Sequence, residues 1–459
     1  MGRELKIEDL KRYSKEFKKN KANKIAANAV QRNGVGNAAF DSEAARKMVP
    51  IYNVEVKDEP SVTNQKSSGR CWMFAGFNHI RKIVAKNLKV KDIELSENYL
   101  MFYDKIEKCN LELDLALKTK DEDELSRQLE SIHFAGGQSD GGYWSFFVNL
   151  VNKYGIVPIQ AQPETVPSSS SSEMDDVLMT LMAKAVSDIR RANKAGAKEE
   201  ELEAIRDKAL NQVYKVLAIC LGEPVQQFEF FYTEDAKDDE KKDSKKSKKE
   251  EEPKVKSIKT TPLEFKEKYL GSSLDDQIII VNYPVDGYDF YQRYRGKNTN
   301  NVVGTPGEII INVPIEELKE CAIKGLKEGL PMWFACDVVT ASYRKEGYLS
   351  REVYDLDTLF GYNHLFDKGD RIRYFASQCN HAMTLTGVNL DKKGNPERWK
   401  VLNSWGVDNG IQGHFCMSDK WFDEFVYELV IDKKFLSSKA KEALDKPIKE
   451  MEPWEPLGF

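Results

Sequence analysis

Histidine and cysteine are scarce in this chain, at five and seven of 459 residues. The closest cysteines, Cys321 and Cys336, lie 15 positions apart, and no C-x-x-C occurs. A zinc knuckle or thioredoxin-like site therefore has no sequence support, and neither metal nor cofactor is expected. An odd, unpatterned cysteine set suits a reducing compartment. There Cys109, Cys220, Cys321, Cys336, Cys379 and Cys416 are expected to be buried, inert thiols. Long apolar runs are missing too. No stretch approaches the ~20 apolar residues of a membrane span, and the N-terminus has no apolar run of signal-peptide length. Nor is there an excess of charge: 69 Lys+Arg face 74 Asp+Glu, a net of −5, which argues against a globally basic nucleic-acid binder. A soluble, cytoplasmic protein with neither membrane nor nucleic acid as partner is expected.

The chain does have length, far beyond the ~100–200 residues that one domain needs. Near the start Ile7, Leu10, Tyr13 or Ser14 and Phe17 recur every three or four residues, as in an amphipathic surface helix. A transit peptide is the rival reading, but Glu4, Glu8, Asp9 and Glu16 count against it. Residues 40–63 read as extended and turn-rich. Phe74, Phe77, Ile80, Ile83 and Val84 then fall at helical spacing, placing Cys71 at a helix start just after Ser67-Ser68-Gly69. Another helical stretch covers about 95–130, followed by the glycine-rich 136–144. The serine run 168–172 reads as a linker or helix start. Leu178, Leu181, Met182, Ala185 and Ile189 mark a helix that Gly196 ends, and Leu202, Ala209, Val213 and Leu217 mark its antiparallel partner. Residues 233–256 are low in complexity and nearly free of large apolar side chains, so a mobile surface loop is expected. Its acids cancel its lysines and no aromatics are present, which disfavours a nucleic-acid-binding tail. Short apolar runs at 278–281, 333–338, 382–388, 399–402, 415–417 and 429–431 predict a late antiparallel sheet. The fold class is α+β.

Chemistry concentrates in three stretches. In N-Q-K-S-S-G-R-C-W (64–72), Cys71 sits where a helix N-terminus lowers a thiol's pKa, and Gln65 on the incoming loop offers an amide N–H to a developing oxyanion. N-H-A-M-T-L-T-G (380–387) places His381 at the head of a strand, and W-K-V-L-N-S-W-G (399–406) ends a second strand at Asn403. Neighbouring antiparallel strands would let Asn403 fix the imidazole while its other nitrogen faces Cys71, with Trp405 covering the bond. Gly141 and Gly142 are either a plain turn or bare backbone against which an extended peptide pairs; the substrate reading is preferred. Asn380 is a weaker substrate candidate, through its carbonyl.

These blocks resemble the papain superfamily, and within it the bleomycin hydrolase/aminopeptidase C branch. L-S-E-N-Y-L-M-F-Y-D-K-I-E-K (95–108), D-G-G-Y-W (140–144), W-F-A-C-D-V (333–338) and P-W-E-P-L-G (453–458) extend the match from about residue 40 to the end. The resemblance implies a papain-like fold, with a helical lobe and an antiparallel sheet or barrel lobe, carrying an inserted helical hook. It implies an N-terminal arm (1–40), the helical lobe (41–165), the hook with its charged loop (166–275), the sheet lobe (276–440) and a tail entering the cleft (441–459). It further implies a cofactor-free cytosolic homohexamer that trims residues from peptides with a free N-terminus, the terminal carboxylate facing the substrate amine. Phe459, Tyr143 and the 233–256 insert depart from the branch, and Phe459 puts strict one-residue trimming in question. The alternatives are a papain-like endopeptidase, or a hexameric nucleic-acid-binding assembly with incidental hydrolase activity.

Overall fold

The computed structural model describes residues 2–123, 126, 139–234 and 255–455. Among them, no helix is long and apolar enough to cross a membrane. Most of the charged loop, residues 235–254, and Phe459 lie outside the described residues.

Helix Cys71–Leu88 runs through the helical lobe, burying Phe74, Phe77, Ile80 and Val84 as its 3.6-residue period requires. It ends where Lys89 turns left-handed at φ 63°. Helix Glu97–Lys118, capped by the Ser96 hydroxyl, and helix Trp144–Tyr154 complete that core. The antiparallel pair Ser172–Lys194 and Glu199–Leu221 turns at Gly196 (φ 85°) and packs on helix Glu97–Lys118. Leu178, Met182 and Ile189 meet Val213, Leu217 and Leu113 in a separate apolar cluster. The serine run is no solvated linker. It forms the short helix Val166–Ser169 and the start of the next one, with Ser168 and Ser171 buried. The hairpin Phe228–Thr233/Val255–Thr260 and helix Pro262–Tyr269 place Phe228, Phe230 and Phe265 in the same core as Phe147.

The late apolar runs form the predicted strands within one twelve-stranded sheet. Val426–Asp432, Met332–Cys336, His381–Leu390, Pro396–Leu402 and His414–Ser418 lie side by side, each antiparallel to the next. The expectation of purely antiparallel pairing needs correcting. The sheet is mixed, because Gln277–Val281 pairs in parallel with Ile309–Asn312, Tyr348–Leu349 with His414–Ser418, and Ile448–Met451 with Gln292–Gly296. It is also open, since its two edge strands do not pair with each other among the described residues. Alternation along Met332–Cys336 shows its two faces: Trp333 and Ala335 join the helical core, Met332, Phe334 and Cys336 the core behind the sheet. The Trp333 indole N–H donates to the Trp72 carbonyl at 3.0 Å, clamping the first turn of helix Cys71–Leu88 onto the sheet.

One further departure and one agreement concern the N-terminal region. Residues 40–63 contain a helix, Ser42–Lys47, because Asp41 caps the N–H groups of Glu43 and Ala44. Helix Ile7–Lys19 forms as the periodicity predicts, yet Ile7, Leu10, Tyr13 and Phe17 are each more than half exposed. That apolar stripe stays largely uncovered among the described residues.

Candidate active site

A cleft of about 770 Å³ opens where the N-terminus of helix Cys71–Leu88 meets the sheet. Gln65, Cys71, Gly141, Gly142, Asn380, His381 and Trp405 all line it. Tertiary structure thus brings together residues up to 340 positions apart in the chain.

Cys71 is the first residue of its helix, and no side chain caps that end. The preceding loop is held rigid: the Arg70 guanidinium forks onto Glu164 at 2.9 and 2.7 Å and also reaches the Ser68 hydroxyl. The N–H groups of Ala382, Trp72 and Cys71 itself point at the sulfur. Burial outweighs them and pushes the thiol above its ordinary value, with Asp140 adding to the rise.

His381 heads its strand directly beside Ala382 and is buried. Its Nε2 lies 2.8 Å from Asn403 Oδ1, and the Ser404 N–H donates to the same oxygen at 2.8 Å. A backbone N–H can only donate, so the amide orientation is settled and Nε2 must carry the proton. Nδ1 is the ring nitrogen left for a reaction partner. Trp405 lies over the imidazole with ring centroids 4.7 Å apart. Burial lowers the imidazolium pKa to about 4, opposed by the Asn403 bond and reinforced by Arg344. Burial thus works against the charged form of each partner taken singly.

Gln65 is buried and anchored at both ends. Its Nε2 donates to the Ser68 carbonyl at 2.7 Å, and the Ser404 hydroxyl donates to its Oε1 at 2.7 Å. One amide hydrogen remains for the cleft. Ser404 was not singled out in the sequence. It sits inside the N-S-W-G run, but its role is a contact across 339 residues.

The substrate candidates separate. A Cβ on Gly142 would lie 2.5 Å from the Trp72 ring, so glycine there is a packing necessity. Hydrogen bonds to the Gly142 backbone are absent among the described residues. Gly141 is committed inward, its carbonyl to Lys108 Nζ at 2.6 Å and its N–H to the Ser139 hydroxyl. Asn380 spends its side chain on the 337–338 turn, donating to Asp337 and accepting from the Val338 N–H. Any substrate contact falls to its backbone carbonyl. Of the cysteines expected to be buried, Cys379 is exposed and lines the cleft, and Cys220 is half-buried. Among the described residues, no group of three or more His, Cys, Asp or Glu is arranged to hold a metal ion.

The chain matches the Peptidase C1-like family over residues 4–458. It is 37% identical to aminopeptidase E of Lactobacillus helveticus, covering 100% of both chains. It is 36% identical to aminopeptidase C of Lactobacillus delbrueckii subsp. lactis, covering 100% of this chain and 99% of that one. The crystal structure of PepW from Lactobacillus rhamnosis HN001 superposes with a TM-score of 0.91 at 36% identity, over 100% of both chains. Helical lobe, sheet lobe and the cleft between them make up a papain-like fold, and the chain belongs to the Peptidase C1-like family.

Proposed function

We propose that the chain is a cysteine aminopeptidase, removing N-terminal residues from peptides through an acyl-thioenzyme. One observation carries this reading: an uncapped helix N-terminus bearing Cys71 opens into the same cleft as a His381 whose tautomer is locked by Asn403. Moving the thiol proton to Nδ1 creates both charges together. Their attraction, with the helix N-terminus, offsets the desolvation that each resists alone. The thiolate attacks the carbonyl carbon of the first residue. The oxyanion accepts from the Cys71 N–H and from the free Gln65 amide hydrogen. His381 gives its proton to the departing amine, and the C–N bond breaks. Water then attacks the thioester with His381 as base, releasing the amino acid and the thiol. Asn403 acts as the orienting partner, and Trp405 keeps water from the bond beneath it.

The terminal carboxylate of Phe459 is taken to meet the substrate's ammonium. In support, strand Ile448–Met451 delivers the tail to Gly296, and Asn298, Thr299 and Asn300 just beyond it line the cleft. The measurement is cleavage of paired peptides with free or acetylated N-termini. Free-amine peptides should lose one residue at a time while their acetylated twins survive. Comparable internal cutting of both would replace the aminopeptidase by an endopeptidase.

Assembly into a homohexamer is part of the same proposal. The uncovered stripe of helix Ile7–Lys19, together with exposed Val177, Met179 and Ile219 on the hook helices, offers apolar surface for it. Sedimentation equilibrium should find a particle of six chains; a monomer at micromolar concentration would remove the idea. A reducing, cytoplasmic location fits seven cysteines that are all unpaired.

A further inference from the structure

Apart from the active-site cleft the molecule has another cavity, of about 300 Å³, and no residue lines both. Helix Trp144–Tyr154 gives Trp144 and Val148 to its wall, strand Ile309–Asn312 gives Ile309 and Ile311, and Leu274 and Leu444 close it. A cavity of that size, mostly apolar with a few polar groups, is the usual form of a small-molecule site. Its single charged side chain is Arg293, and no aspartate or glutamate among the described residues lines it.

Sheet register explains why that cation has no counter-ion. Arg293 lies on strand Gln292–Gly296, opposite Ile311 on one side and Ile448 on the other. Directly opposed residues share a face, so both of its cross-strand neighbours are apolar. Arg295, two residues on, stands opposite Glu450 and pairs with it. Arg293 spends Nη1 on the carbonyls of Leu444 and Lys446, at 2.7 and 3.4 Å. Its Nη2 and Nε have no partner among the described residues. Gln277 lines the same cavity, and its Oε1 is buried with no hydrogen-bond partner among them. Turned about its last torsion, that amide presents an N–H instead. Free guanidinium donors beside hydrocarbon walls match a carboxylate carried on an apolar body.

We infer that this cavity binds a small carboxylic acid with an aliphatic or aromatic body, its carboxylate held by Arg293. The site is independent of the peptidase reading and adds a ligand to the protein. The carboxyl end of an apolar peptide is the other source of the same chemistry.

The experiment is calorimetric titration of the full-length protein with octanoate, 1-octanol and octylammonium, which share a chain and differ in the head group. Octanoate should bind once per chain and about 10- to 100-fold more tightly than octanol, the worth of a hydrogen bond to a charged group. Octylammonium should bind more weakly than either. Arg293→Gln should bring octanoate down to the level of octanol. Because Arg293 also holds the Leu444 carbonyl, a second variant leaves it in place: Val148→Phe fills the cavity and should weaken octanoate and octanol alike by at least tenfold. Cys71→Ala should bind octanoate as the wild type does, since the cleft takes no part. Octanoate binding no tighter than octanol overturns the inference, as does an affinity that Val148→Phe leaves standing or that Cys71→Ala removes. Acetyl-leucyl-leucine binding more tightly than octanoate would assign the site to peptide ends and overturn the small acid. Peptide cleavage is a separate readout, so none of these results bears on the peptidase reading.

Discussion

Replacing Cys71 by alanine should lower kcat/KM on aminoacyl-coumarin substrates by about 10⁴- to 10⁶-fold, the range seen when a nucleophile acting in a unit is removed. The fold should barely notice. The sulfur sits at the mouth of a helix rather than inside a cluster, so the stability change should stay within about 1 kcal/mol in urea unfolding. The same variant tests the ion pair. Burial, opposed by the Asn403 bond and reinforced by Arg344, holds the His381 imidazolium down at about 4. If the thiolate is its partner, wild-type His381 must titrate well above its value in Cys71→Ala, because only the wild type offers a compensating anion. NMR titration of the ring in both proteins reads this directly. Activity surviving in the alanine variant would dismiss Cys71 as nucleophile. Identical titrations would retain the nucleophile and discard the thiolate–imidazolium resting state.

What the sequence disclosed follows from which forces act locally. Cys71 was legible as a helix start because Phe74, Phe77 and Ile80 repeat at a period that only a helix satisfies. His381 and Asn403 were legible because the one heads and the other follows an apolar run too short for a helix. Charge was the weaker guide. Asp104, Lys105, Glu107 and Lys108 were not singled out in the sequence, and all four are buried, since each meets an opposite charge or a carbonyl. Apart from Asp104–Lys108, four residues apart on one helix, such pairing depends on partners far along the chain and leaves no periodic trace. Glu428, a single acid within the otherwise apolar run V-Y-E-L-V-I, was likewise not singled out and is buried. The N-terminal stripe was legible as the surface helix that it forms. Its period correctly gave a helix, but a single chain lacks the surface that would cover it.

Lys105 is where the largest loss of stability is expected. It is fully buried and lies 2.7 Å from both Asp140 and Asp175, tying helix Glu97–Lys118 to the hook helix Ser172–Lys194 and to the cleft. Lys105→Met keeps most of the volume but takes the cation from two partly buried carboxyls, a change that costs up to about 3–5 kcal/mol when one partner of a buried pair is removed. Catalysis should fall with it. Asp140 also accepts from the Gly69 N–H at 2.7 Å and from the Ser171 hydroxyl, and its carbonyl accepts from the Trp72 indole, so it seats the loop that delivers Cys71. The pH dependence has a definite sign. Burial alone would raise the Asp140 carboxyl, but the Lys105 ammonium and those two donors overrule it and hold it well below the usual carboxylate range. A depressed carboxyl stabilises the fold above its unfolded value and loses that contribution as pH falls toward its folded one. Asp175, the other carboxyl on Lys105, is instead raised by burial to about 6, so the stability gap between wild type and Lys105→Met, measured by urea unfolding, should be largest at neutral pH and narrow as acidification protonates first Asp175 and then Asp140. Adding Asp175→Asn to the variant should recover part of the loss at pH 7, since one stranded anion is then gone. A gap under 1 kcal/mol at neutral pH, or one that does not change on acidification, would mean that the triad is not what holds the nucleophile loop in place.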